Sequence, residues 1–171
     1  LSREPARQQA AGVVRLRAAT GYEVFPENLP GQVFLGDLHV LDYYAAVADY
    51  ADTGVLLDCA HLAIYQQVMR HHPRTALDHF PLERVVELHV AGSTRHEHAG
   101  WPYWEDDHTP QVREATWEIF EWVAPRAPNL KAIVFECERN PQDTILAGFQ
   151  RIVATAAHSA LAGAVSGKAT R

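Results

Sequence analysis

Carboxylate and imidazole side chains, which bind metal ions well, stand at the ends of four short apolar runs. These runs end at Glu27, Asp58, His89 and Glu136. A run of about four to six apolar residues that ends in such a side chain is typical of a buried parallel strand, which presents one ligand at its C-terminal end. Carboxylate and imidazole ligands without paired cysteines suit iron, manganese or zinc. The pattern predicts a metal-dependent enzyme with no catalytic residues beyond the metal ligands.

Two close pairs add further candidate ligands. His61 lies three residues after Asp58, so both side chains share a face if a helical turn begins there. Asp58 is also compatible with a helix cap. Asp106 and His108 are separated by one residue and can supply two ligands to one ion, although a surface acidic cluster beside a histidine is common. The predicted metal ligands are therefore Glu27, Asp58, His61, His89, Asp106, His108 and Glu136.

Each strand-end residue has a structural alternative. Glu27 precedes a turn and is compatible with an exposed carboxylate, and His89 is compatible with a buried core histidine. Glu87, two residues before His89 on the same strand face, either orients its ring or points into the barrel floor. Asp58 and Glu136 each follow three apolar residues, where a buried carboxylate needs a metal, a cation or several N–H donors. The recurrence of such residues at strand ends favours the metal site.

Composition excludes several classes of protein. The chain has 171 residues, 47% of them hydrophobic and 21% charged, as expected of one globular domain. Its formal charge of −6 argues against broad binding to nucleic acid or to an anionic membrane. No apolar stretch reaches the roughly 18–20 residues that span a bilayer. Two cysteines without an export signal predict a reduced pair and a cytoplasmic protein.

Hydrophobic periodicity predicts an alternation of helices and strands within one domain, 1–171. After a leading helix, the expected strands are 22–27, 54–58, 84–90 and 131–136. The expected helices are 5–19, 38–52, 61–69, 112–123 and 142–158. Residues 163–171 are predicted to be a frayed tail.

The segment 93–111 is predicted to be an irregular loop, because Gly100, Pro102 and Pro110 interrupt a polar, aromatic-rich stretch. A loop of this length in a compact domain is more often functional than not. Its aromatic residues, Trp101, Tyr103 and Trp104, either line a substrate pocket or anchor the loop.

The strand–helix order predicts an α/β fold with a parallel sheet and every strand's C-terminal end on one side. No Gly-rich phosphate loop follows a strand, and ligands at successive strand ends favour a (β/α) TIM-type barrel. Such a barrel takes eight strands and about 250 residues, whereas about four strand–helix units are predicted here. The sequence also begins at Leu1 rather than at Met. We therefore expect half of a barrel.

Several segments, taken in order, resemble a known family. They are Glu27-Asn28, Leu56-Leu57-Asp58, Leu88-His89-Val90-Ala91-Gly92, Asp106-x-His108 and Phe135-Glu136, and together they cover roughly residues 10–155. The chain resembles the multinuclear non-haem iron-dependent oxidative enzymes, TIM barrels of the xylose-isomerase-like superfamily that include the methanobactin-biosynthesis oxygenase. The resemblance implies two or three irons and oxidative modification of a precursor peptide at cysteine. It also implies iron-ligand roles for Glu27, Asp58, His89, Asp106, His108 and Glu136.

The sequence departs from that family in three ways. His61 stands where the family typically has Asn, which would change the donor set. The segment from Glu136 reads Glu-Cys-Glu-Arg instead of Glu-Arg-Asp. The family's first barrel half supplies further histidine ligands, so by this resemblance the chain is the C-terminal half. The implied partners are a precursor peptide, a peptide-recognition protein, and either an N-terminal half or a second copy of the chain.

Two other functions stay open. Asp58-x-x-His61 also fits a divalent-metal isomerase or hydrolase of the xylose-isomerase-like barrels, with manganese or zinc in place of iron. The third possibility is a non-catalytic half-barrel whose ligand residues no longer form a complete metal site. Iron content with oxygen consumption separates the first function from the other two.

Overall fold

The computed structural model describes the backbone of residues 1–166 and the side chains of residues 1–157. The helices of this part are α1 (Arg3–Thr20), α2 (Val40–Ala51), α3 (Cys59–Val68), α4 (Glu114–Val123) and α5 (Gln142–Ser166). The strands are β1 (Val55–Asp58), β2 (Val85–Ala91), β3 (Thr94–His98), β4 (Trp101–Glu105) and β5 (Ala132–Glu136). Helix α5 thus extends into the predicted tail, and residues 167–171 lie outside the described part.

A three-stranded parallel sheet in the order β1-β2-β5 is the centre of the fold. Parallel pairing places Asp58 beside His89, and Ala91 beside Glu136. Since parallel strands point the same way, the C-terminal ends of all three strands lie at one edge. The predicted parallel α/β architecture is confirmed for these three strands.

The predicted first strand, 22–27, is wrong. Only a single parallel bridge, between Glu27 and Leu56, links this segment to the sheet. Pro26 lacks an N–H and contributes only its carbonyl, which accepts a hydrogen bond from Leu56 N at 3.1 Å. The segment therefore follows β1 without forming a ladder, yet it brings Glu27 to the edge of the sheet.

Helices cover one face of the sheet. Leu57, Leu88 and Phe135, which alternate with the site-side residues, are buried in a single cluster with helical residues such as Leu62 and Phe120. The opposite face carries polar and partly exposed side chains. This arrangement is that of part of a (β/α) barrel, and the described residues do not form a closed one.

The predicted irregular loop 93–111 is wrong for residues 94–105. They form an antiparallel hairpin in which β3 and β4 pair from Thr94–Glu105 to His98–Trp101. Ala99 and Gly100 form its two-residue turn, and both have positive φ, as the hairpin turns that match strand twist require. The prediction failed because Pro102 looks like a strand breaker, although proline is tolerated on an edge strand.

Within residues 1–166, no helix combines the length and the apolar character that crossing a bilayer requires. Cys59 and Cys137 are both buried and free.

Candidate metal centre

The structure brings all seven predicted ligands to one edge of the sheet. Asp58 and Glu136 end strands β1 and β5, His89 lies in β2 at the level of Asp58, and Glu27 reaches the edge by its bridge to Leu56. The other three come from the start of α3 and from the connection after β4: His61, Asp106 and His108. Two groups can be distinguished, which we call the inner group (Glu27, Asp58, His89) and the outer group (His61, Asp106, His108).

In the inner group, one ligand atom from each residue lies within 4.8 Å of the others. His89 Nδ1 is 3.8 Å from Glu27 Oε1 and 3.9 Å from Asp58 Oδ2. Glu136 adds a further carboxylate, with Oε1 3.3 Å from His89 Nδ1. Three carboxylates and one imidazole therefore face a common point.

The two carboxylate oxygens of Asp58 have different surroundings. Its Oδ1 accepts a hydrogen bond from His61 N at 2.7 Å and caps α3, whereas the buried Oδ2 has no hydrogen-bond partner. The side chain of Asn28 holds the backbone of Asp58 from both sides, accepting from its N–H and donating to its C=O. Burial raises the pKa of Asp58 to about 6, although the charge of His61 and the cap hydrogen bond oppose this. An unpaired carboxylate oxygen aimed into the cluster fits a bound cation.

His89 is held by its far nitrogen. Nε2 donates to Glu87 Oε1 at 3.0 Å, which leaves the buried Nδ1 facing the inner group without a hydrogen-bond partner. The Glu136 carboxylate raises the pKa of His89 to about 9, and Glu87 and Asp58 add to this while burial opposes it. A carboxylate behind the ring is the usual way in which proteins orient a metal-ligating histidine.

In the outer group, Asp106 stands between two imidazoles. Its Oδ2 lies 2.7 Å from His61 Nε2 and 3.5 Å from His108 Nε2. The other ring nitrogen of His61 donates to the Asn28 carbonyl at 2.7 Å. Burial lowers the pKa of His61, but the hydrogen bond to Asp106 and the charges of Asp58 and Asp106 outweigh it and raise this pKa to about 9.

His108 sits on less regular backbone. Its φ of +53° is in the left-handed region, which costs energy for a residue other than glycine and is concentrated at functional sites. Asn140 Nδ2 donates to the His108 carbonyl, and His108 Nδ1 lies 3.0 Å from Glu138 Oε1. The hydrogen bond to Glu138 and the surrounding carboxylates raise the pKa of His108 against the effect of burial.

Glu136 joins the two groups. Its Oε2 lies 3.7 Å from His108 Nε2, while its Oε1 lies beside His89. Asp58 Oδ2 is similarly placed, 3.7 Å from His61 Nε2 and 3.9 Å from His89 Nδ1. Both carboxylates therefore lie between the inner and the outer group. The donor set, four carboxylates and three imidazoles, suits iron, manganese or zinc.

Comparison with known proteins identifies the family. The family model described as RiPP precursor modification enzyme MbnB/TglH/ChrH matches residues 8–157. The chain belongs to this family. RiPPs are ribosomally synthesised and post-translationally modified peptides, and the family resemblance drawn from the sequence is confirmed.

One curated relative is a UPF0276 protein of Anaeromyxobacter sp. (strain Fw109-5). The two chains are 25% identical over 133 residues, which cover 77% of this chain and 46% of the relative. This MbnB/TglH/ChrH family chain thus spans about half the length of the curated relative that it matches.

Several residues that support the site were missed or misread in the sequence. Asn28 was noted only as part of a motif, and its double hydrogen bond to Asp58 joins residues 30 positions apart. Glu138, which is not among the predicted ligands, contacts His108 Nδ1 at 3.0 Å. Gly92 lies so close to the Thr109 carbonyl that a side chain there would collide with it. The suggestion that Glu87 orients His89 matches the structure.

Proposed function

We propose that this protein takes part in the iron-dependent oxidative modification of a RiPP precursor peptide at a cysteine side chain. Membership of the MbnB/TglH/ChrH family supports the peptide substrate. The observation that carries the metal dependence is the position of two buried atoms 3.9 Å apart: Asp58 Oδ2, which has no hydrogen-bond partner, and His89 Nδ1, which faces only carboxylates. The choice of iron and of cysteine rests on the resemblance described from the sequence.

In this proposal the inner and outer groups each hold one metal ion, and Asp58 and Glu136 lie between the two positions. The inner group is richer in carboxylates, and the outer group contains two histidines. Bound iron would supply oxygen-dependent redox chemistry and would coordinate the thiolate of the substrate. Manganese or zinc are the alternative ions for the same donors.

The protein itself orients the ligand side chains before a metal ion binds. Each of the three histidines has one ring nitrogen engaged outside its group, with Glu87, the Asn28 carbonyl or Glu138. The remaining nitrogen then points at the carboxylates. Such outer partners set the tautomer and the ring angle of a ligand and increase its basicity.

The uncovered face of the sheet supports a further partner. Val134, on that face, is 37% exposed, and the edge of β5 opposite β2 has no neighbouring strand within residues 1–166. An N-terminal barrel half or a second copy of this chain would cover such a face, and additional ligands could come from it. A peptide-recognition protein and a cytoplasmic location stay predictions.

Metal analysis combined with oxygen consumption tests the proposal. The protein is purified anaerobically, its metal content is measured, and oxygen uptake is followed with a cysteine-containing peptide. Iron together with peptide-dependent oxygen uptake is the expected result, and Asp58→Asn should lose the uptake together with the more tightly held iron. A redox-inert metal with activity that persists without oxygen would instead support the isomerase or hydrolase. No bound metal, even after an N-terminal half is supplied, would support the non-catalytic fragment.

A further inference from the structure

The two outer edges of the β3–β4 hairpin differ in a way that bears on substrate binding. The two-residue turn at Ala99–Gly100 makes His98 and Trp101 the hydrogen-bonded pair that closes the hairpin. Because such pairs alternate with non-hydrogen-bonded ones along an antiparallel ladder, the backbone groups at every second residue point away from the hairpin. On β4 these residues are Pro102 and Trp104, and on β3 they are Arg95 and Glu97.

The edge of β4 is closed. Pro102 has no N–H to offer. The N–H of Trp104 donates to Gln32 Oε1 at 3.1 Å, and its C=O accepts from Gln32 Nε2 at 2.6 Å, so one side chain satisfies both groups. Trp104 is held further by Arg113, whose guanidinium lies 3.6 Å from its ring centre. No further strand can add to this edge.

The edge of β3 is open. Arg95 and Glu97 are exposed, and within residues 1–166 strand β3 pairs only with β4. Their outward N–H and C=O groups have no protein partner among the hydrogen bonds of this part of the chain. Proteins normally protect such edges with proline, a bulge, charged side chains or a covering segment. Pro102 and Gln32 protect β4 in this way, whereas β3 has only the charged side chains of Arg95 and Glu97 and keeps its backbone groups accessible. An edge left open beside a protected one is suited to pairing with an extended chain.

The open edge leads to the metal centre. Strand β3 begins three residues after Ala91, the last residue of β2, and β4 ends immediately before Asp106. Glu105, at the rim end of β4, lines a cleft of about 220 Å³ together with Asp106, His108 and Glu138. A strand that paired with β3 would extend toward this cleft and the outer group.

The hairpin also offers side-chain contacts to a chain lying along it. The rings of His96 and Tyr103, a cross-strand pair, are stacked with centroids 5.4 Å apart. Trp101, two residues from Tyr103 on the same face, is 78% exposed. Aromatic side chains of this kind supply contact area at low conformational cost.

We propose that the outer edge of β3 binds an extended segment of the peptide substrate through backbone hydrogen bonds to Arg95 and Glu97, and so directs the neighbouring residue into the cleft at Asp106. This inference rests on the proposed function, because the family acts on peptides. Backbone pairing supplies affinity for extended chains of many sequences, and the aromatic face of the hairpin adds selectivity.

The test compares Glu97→Pro with Glu97→Ala. Proline at position 97 removes one outward N–H and leaves the β3–β4 hydrogen bonds in place, whereas alanine removes only the side chain. The probe is a displayed library of random peptides of about 12 residues, each with a central cysteine, long enough to lie along β3 and reach the cleft. Peptides selected by the full chain are then resynthesised, and their affinities are measured with both variants.

The expected result is selection of peptides by the unmodified chain and an affinity loss of about tenfold in Glu97→Pro but less than about twofold in Glu97→Ala. The amides of Arg95 and Glu97 should also become protected from hydrogen exchange when peptide binds, a measurement that serves even if the proline variant misfolds. Equal affinity of Glu97→Pro, an equal loss in Glu97→Ala, no selected peptide, or pairing of β3 with a second copy would each overturn the proposal.

Metal content separates this inference from the proposed function. Glu97→Pro should retain as much iron as the unmodified chain, because Glu97 pairs with Pro102 beside the turn, at the end of the hairpin opposite to Asp106. A chain that binds no metal but pairs with peptides at β3 would refute the metal proposal and leave the docking edge standing.

Discussion

The inner and outer groups differ in what holds their ligands. Asp58 and His89 belong to adjacent parallel strands, and their side chains are 0% and 13% exposed. His108 lies on the connection after the hairpin, has a positive φ and is 26% exposed. Its orienting carboxylate, Glu138, is also more exposed than Glu87, the corresponding residue behind His89.

This difference indicates which metal position is preformed. Strand pairing restrains Asp58 and His89, so binding at these two residues of the inner group costs little ordering of the chain. The outer group depends on a connection that passes over Gly92 and is tied down by Asn140. We therefore expect the inner group to bind metal first and more tightly, and the outer group to be the more easily disrupted.

The largest effect is expected for Asp58→Asn. The variant should bind iron at the inner group about 100-fold or more weakly, because a buried anionic ligand is replaced by a neutral amide. Since burial disfavours the ionised carboxylate and Asn can still cap α3, the metal-free variant should unfold at the same or a higher temperature. Calorimetric iron titration and thermal unfolding measure the two quantities.

Asp49→Asn is the control for this change, because Asp49 is an exposed residue of α2 away from the site. It should alter neither iron binding nor unfolding. An Asp58→Asn protein that binds the first iron as tightly as the unmodified chain would remove Asp58 from the inner group.

Gly92→Ala should separate the two groups. The added methyl would collide with the backbone of Thr109, so the connection that carries Asp106 and His108 has to move. We expect the outer iron to be lost and the inner iron to be retained, as measured by iron per chain after desalting. Gly12→Ala is the matched control, because an added methyl on α1 meets only the end of the Arg15 side chain at 3.9 Å and alanine favours the helix by about 0.5–1 kcal/mol. Loss of both irons in Gly92→Ala would mean that the groups are not independent.

The two orienting carboxylates provide a more sensitive comparison. Glu87→Gln should weaken iron binding at the inner group about tenfold, because a neutral amide polarises the His89 ring less. Glu138→Gln should lower the affinity of the outer group for iron by only about two- to threefold. Glu138 is exposed, so its interaction with His108 is screened by solvent. Paired iron titrations of the two variants give the ratio, and a larger effect at Glu138 would reverse the proposed order of rigidity.

The last prediction concerns pH and the metal-free protein. His61 and His89 have pKa values of about 9 in the fold against 6.5 for the unperturbed side chain, so the folded state binds protons more tightly. Their stabilising contribution is complete below about pH 6.5 and is lost as the pH rises through about 9. The Tm should fall by about 5 °C or more over this range, and by less in His61→Asn. Iron affinity should rise over the same range, because iron displaces these protons.

The strand ends were the predictable part of the site. Asp58, His89 and Glu136 each follow an apolar run, and the direction of parallel strands alone places such residues at a common edge. Glu27 was predicted at that edge for a partly wrong reason, because Pro26 prevents the ladder that was expected there. The residues that orient the ligands could not be predicted, since Asn28, Glu138 and Asn140 act over about 30 positions of chain.

The β3–β4 hairpin could not be predicted for a different reason. Its turn residues, Ala99 and Gly100, are not among the strongest turn pairs, and Pro102 argues against a strand. Only the pairing register shows that Pro102 occupies a position whose N–H would point outward. The same proline that obscured the strand closes one edge of the hairpin.

The most direct test of the metal centre is anaerobic titration of the metal-free protein with Fe(II), followed by desalting and elemental analysis, for the unmodified chain and Asp58→Asn in parallel. The account predicts about two iron ions retained per unmodified chain, one for each group, and loss of the more tightly held ion in the variant. Retention of no iron by the unmodified chain, or of equal iron by both proteins, would contradict it.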